Sequence, residues 1–66
     1  MKYIPGHTFK VTKALRGFEV GKTYRVYHIA PQNEGIQYIF VSDKGRVDIK
    51  FKDVEEAELV IEKASK

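Results

Sequence analysis

Residues 53–66 read Asp-Val-Glu-Glu-Ala-Glu-Leu-Val-Ile-Glu-Lys-Ala-Ser-Lys, and two backbone periods fit them. As a helix, Asp53 is the cap, Glu56 stands three residues on, and Val54, Ala57, Ile61 and Ala64 share one face. Lys63 and Lys66 then lie at the end where the helix dipole favours cations. In the alternative, residues 52–56 form one tight helical turn and residues 58–62 a short last strand with Leu59 and Ile61 inward. The helix leaves Leu59 off its apolar face, whereas the strand closes a small barrel. The strand reading is therefore preferred. The choice separates an all-β, five-stranded barrel with a short helical turn before its last strand from a four-stranded antiparallel sheet with a C-terminal helix.

Just upstream, residues 36–51 alternate as two strands about a turn: Ile-Gln-Tyr-Ile-Phe-Val-Ser-Asp-Lys-Gly-Arg-Val-Asp-Ile-Lys-Phe. Gly45 takes the left-handed position of a three-residue turn behind Asp43 and Lys44, which sets Ser42 opposite Arg46. Counting outward, Val41 faces Val47 and Ile39 faces Ile49 on one side, while Phe40 faces Asp48 and Tyr38 faces Lys50 on the other. The aliphatic side is expected to be core and the aromatic and charged side to be surface.

Two further strands precede the hairpin. Residues 7–14 alternate, with Phe9 and Val11 on one face and Thr8, Lys10 and Thr12 on the other. Residues 13–22 hold Gly17 and Gly21 without a sustained period, and so form a loop held down by Leu15, Phe18 and Val20. Residues 23–29 are rich in aromatic and branched side chains, with Tyr24 and Val26 inward and Arg25 and Tyr27 outward; His28 falls at the strand's end. Residues 30–35 are a polar loop closed by Gly35, and residues 1–6 a lead-in ending in Pro-Gly. The expected core is Phe9, Val11, Val20, Tyr24, Val26, Ile39, Val41, Val47, Ile49, Phe51 and Leu59. An antiparallel pairing of the second and third strands joins Arg25, Tyr27, Tyr38, Phe40, Arg46 and Lys50 on one outer surface, the candidate partner-binding site.

The 66 residues have room for one domain spanning 1–66. A chain of this size buries only about 60% of its unfolded surface, and without cysteine it has no disulfide to compensate. The cysteine count also excludes thiolate metal sites, and His7 and His28 alone do not make a metal centre, so neither metal nor cofactor is expected. The longest apolar run, Tyr38 to Val41, is far too short to span a membrane, and residues 1–6 lack the regions of a signal peptide. A cytoplasmic protein is expected, in a host cytoplasm if the chain is viral. The net charge is +3, but residues 1–52 hold ten basic and four acidic side chains, while residues 53–66 hold two basic and five acidic ones.

The order of strand, longer loop, strand, polar loop, strand, tight turn, strand, helical turn and strand resembles the Src-homology-3-like small barrel over residues 7–62. Gly21 with Tyr24 and Val26, the turn at Asp43, Lys44 and Gly45, and Val54 before the last strand carry the resemblance. The aromatic and acidic pattern with which such barrels grasp proline-rich peptides is missing from residues 11–20. Barrels of this kind otherwise bind nucleic acid or act as protein adaptors, which the resemblance implies as options. In size and style the chain also resembles the small accessory proteins of bacteriophages.

No nucleophile stands beside an oriented base, and the clustered glutamates read as a solvated edge, so no enzyme activity and no small-molecule substrate are expected. The expected function is a protein-interaction module. Tyr27, Tyr38 and Phe40 would anchor a protein partner such as a host or machinery subunit, or a second copy. The alternative is a nucleic-acid-binding module on the same face, with Arg25, Arg46 and Lys50 on phosphates.

Overall fold

The structure, a computed structural model, describes residues 3–65; the expected place of Lys66 at the helix end lies outside the described residues. Four strands, β1 (Thr8–Lys10), β2 (Thr23–Gln32), β3 (Gly35–Ser42) and β4 (Gly45–Phe51), form one antiparallel sheet in the order β1-β2-β3-β4. A single C-terminal helix, α1 (Val54–Ser65), follows. The open sheet with a helix replaces the five-stranded barrel preferred from the sequence. Among the described residues no helix is long and apolar enough to cross a membrane.

The helix forms because its first turn is capped and its apolar positions repeat at helical spacing. The Glu56 amide donates to the Asp53 carboxylate at 2.8 Å, and the Glu56 carboxylate accepts from the Lys52 amide at 2.6 Å. The first bond satisfies a donor that the start of a helix leaves without a partner, and the second ties the residue before the cap to the first turn. Ala57, Ile61 and Ala64 are buried, and Leu59, which the strand reading had placed in the core, is 51% exposed. The backbone amides that a fifth strand would have paired are used otherwise. Thr12 and Lys13 donate to the carbonyl of Ala64 at 2.6 and 3.0 Å, and the Thr12 hydroxyl adds a third bond at 3.1 Å. The last turn of the helix thus occupies the place of the missing strand.

The β3–β4 hairpin is one residue shorter in register than expected. Ser42 pairs with Gly45, Val41 with Arg46, Phe40 with Val47 and Tyr38 with Ile49. Gly45 does adopt the expected positive φ, +121°, but the turn between the paired residues is only Asp43-Lys44. With a side-chain period of two, this slip exchanges the faces of one strand relative to the other. Tyr38 and Phe40 now share the inner face with Val47, Ile49 and Phe51. The reason is size: an aromatic side chain buries about 150–250 Å², more than the Ile39 and Val41 it displaces. It also finds other rings. Phe40 lies 5.9 Å from Phe9 and 5.1 Å from Phe18, and Tyr38 lies 5.4 Å from Phe51, all edge to face.

The core consequently differs from the expected set. Phe9, Val11, Tyr24, Val26, Ile49 and Phe51 are buried as expected and Val47 is half-buried, but Val20 and Val41 are exposed and Ile39 is only half-buried. Tyr3, Phe18, Tyr38, Phe40, Ala57, Ile61 and Ala64 complete it. The first strand, expected over 7–14, ends at Lys10, so the loop expected over 13–22 begins at Val11; Phe18 and the half-buried Leu15 tie it to the core. Arg16, at a positive φ of 52°, fastens this loop to its neighbours. Its guanidinium lies 5.1 Å over the Phe51 ring, 3.5 Å from Glu56, and donates to the Lys50 carbonyl of the edge strand β4. The expected polar loop at 30–35 contracts to the turn Asn33-Glu34, since β2 runs on to Gln32. Gly35, at φ +107°, is required there because a β-carbon would collide with the carbonyl oxygen of Phe51.

Candidate functional site

The outer face of the sheet, opposite the helix, is built from side chains whose neighbours are fixed by register. Thr8, Arg25, Val41 and Arg46 form one row across all four strands. The next row is His28, Ile39 and Asp48, and the one beyond it Ala30, Gln37 and Lys50. Lys10 lies beside Thr23 at the opposite end. Tyr27 is the extra residue of a bulge, since Val26 pairs with Phe40 and His28 with Ile39. A bulge of this kind sends two consecutive side chains toward one face and re-aims them. Tyr27 is 64% exposed, beside the point where the Gly6 amide donates to the Val26 carbonyl.

Four of the six expected site residues, Arg25, Tyr27, Arg46 and Lys50, are exposed on this face. Tyr38 and Phe40 are not: both are fully buried on the inner face, so the continuous aromatic surface expected from the sequence does not exist. Truncating either to alanine removes core packing worth roughly 3–5 kcal/mol and does not probe binding. In their place the face carries Ile39 and Val41, with His28, Lys10 and Thr8 at its margins. The alternation of β4 pointed to this arrangement, because Arg46, Asp48 and Lys50 are the polar parity of a strand whose other parity, Val47, Ile49 and Phe51, is wholly apolar.

Charge on the face is not uniform. Arg46 grips Asp48 through two nitrogens, at 2.8 and 2.9 Å. The Asp48 bond raises the guanidinium pKa, and the nearby Tyr27 phenol adds a smaller contribution in the same direction. The same bond holds the Asp48 carboxyl below its ordinary range. Tyr27, on β2, is thus close enough to Arg46, on β4, for the two to interact electrostatically. Lys10, Arg25 and Lys50 are exposed. The acids lie elsewhere: Glu55, Glu56, Glu58 and Glu62 are all on α1, on the other side of the sheet.

A shallow hollow at the hairpin end is lined by Val20, Gly21, Lys22, Thr23 and Asp43. Lys22 and Asp43 bridge it at 3.5 Å, and Lys44 reaches Glu19 at 4.0 Å, so its charges are already paired. Among the described residues no group of three or more His, Asp or Glu side chains is placed to hold a metal ion. Comparison with family models, curated proteins and solved structures finds no match.

Proposed function

We propose that the protein is a small, non-enzymatic binding module that engages nucleic acid on the outer face of its sheet. The observation that supports this is the separation of charge across the fold. The outer face presents Lys10, Arg25, Arg46 and Lys50 against one acid, Asp48, while the glutamates of residues 55–62 are held on the far side. A surface with a net excess of cations, facing away from the acidic one, attracts a polyanion and gains from the release of its counterions. The aromatic anchors that favoured a protein partner on the sequence alone are reduced to Tyr27, whereas every cation of that reading remains on the face. A cytoplasmic setting belongs to the same proposal.

A second reading, a protein partner or a second copy, rests on Ile39, Val41 and the exposed Tyr27, the apolar side chains of the same face. Salt separates the two. In fluorescence anisotropy with a labelled oligonucleotide, affinity should fall steeply with log salt, and Arg25→Ala and Lys50→Ala should each reduce the slope by about one unit. A partner retained from nuclease-treated extract, with an affinity indifferent to salt, would establish the second reading instead.

A further inference from the structure

We infer that the outer face takes single-stranded rather than duplex nucleic acid, with the Tyr27 ring as the platform for a base. This rests on the nucleic-acid reading above and narrows it. Two features carry it. The first is the arrangement of polarity: Arg25 and Arg46 stand on either side of Val41 in one row, Ile39 lies in the next, and the exposed bulge residue Tyr27 stands on β2 between these rows. A duplex offers this surface only phosphates, because its bases are stacked inside, and the apolar centre would be dehydrated without gaining a partner. A single strand offers base faces to the centre and phosphates to the flanking cations. The second feature is width. Along the row of Thr8, Arg25, Val41 and Arg46, four strands at about 4.8 Å spacing put the outer backbones roughly 14 Å apart, wider than the major groove of about 12 Å that admits one helix or a two-stranded ribbon. The face cannot enter the groove at the row that holds both arginines.

Asp48 has a defined part in this arrangement. It occupies the Nε–Nη2 edge of Arg46 and places a negative charge beside the phosphates' path, so it competes with the ligand for that edge. Asp48→Asn removes that competition and should tighten binding. A residue required merely for folding would not produce a gain.

The test uses the full chain with two fluorescein-labelled probes at one salt concentration, an eight-nucleotide oligothymidine and a short duplex of equal length. The expected result is tighter binding of the single strand, roughly tenfold or more. Tyr27→Ala, a change at an exposed position whose fold is checked by circular dichroism, should weaken the single strand by about tenfold and leave the duplex unchanged. Asp48→Asn should strengthen both. Equal or tighter binding of the duplex, or indifference of the single strand to Tyr27→Ala, overturns the single-strand inference while the nucleic-acid reading stands. No binding of either probe, even by Asp48→Asn, overturns both.

Discussion

Tyr38 shows how one side chain can be read correctly in chemistry and wrongly in place. It is fully buried among Phe40 and Phe51, and burial, with a smaller contribution from the Glu58 carboxylate, pushes its phenol above the ordinary value of 10.0. Its proton is therefore held more tightly in the folded chain than in the unfolded one. The stability this provides is present below about pH 10 and is lost as the pH rises toward the folded-state value, because there the unfolded chain binds fewer protons. Urea titrations at rising pH should show the unfolding free energy falling above pH 10, and Tyr38→Phe should flatten that part of the fall; an unchanged alkaline slope in the variant would assign it to another group. Sequence parity misplaced Tyr38 for a specific reason. Gly45 was correctly expected at positive φ, but a positive φ does not fix the number of residues in the turn, and one residue exchanges the faces. What the sequence did contain was relative size: of the two parities of β3, Tyr38 and Phe40 offer more surface to bury than Ile39 and Val41.

At the scale of the elements, four strands and their neighbours were legible from alternation in residues 7–14, 23–29 and 36–51, although the first strand ends at Lys10 and the second runs on to Gln32. The last element was not, since Leu59 and Ile61 satisfy a period of two as readily as Ala57, Ile61 and Ala64 satisfy the helical one. Tertiary contacts decide between them: the small side chains of Ala57 and Ala64 let the helix backbone approach the aromatic core, and the caps at Asp53 and Ala64 satisfy its ends. The two periods make opposite demands on Leu59. Thermal melts should find Ile61→Ala destabilised by roughly 2–5 kcal/mol and Leu59→Ala changed by about 0.5 kcal/mol or less. Equal losses at both positions would contradict the helix. Of the candidate site, the cations and Tyr27 could be read from strand parity, but the bulge that projects Tyr27 could not, because it arises from how β2 meets β3.

Over the whole molecule, a basic sheet face and an acidic helix lie on opposite sides of one aromatic core, and the division visible along the chain becomes a division in space. The two layers are joined at one end by Arg16, which links loop, edge strand and helix start, and at the other by the bonds to Ala64. That second joint gives the fold an internal gauge. The amides of Thr12 and Lys13 are shielded through an acceptor 52 residues from Thr12, so they exchange with solvent when the end of the helix lifts, whether or not the sheet opens. Deuterium uptake at these two amides, compared with that of Phe40 inside the sheet, should be faster and should accelerate in Ile61→Ala while the Phe40 amide lags. Uniform uptake at all three would mean that helix and sheet come apart only together, as one cooperative unit.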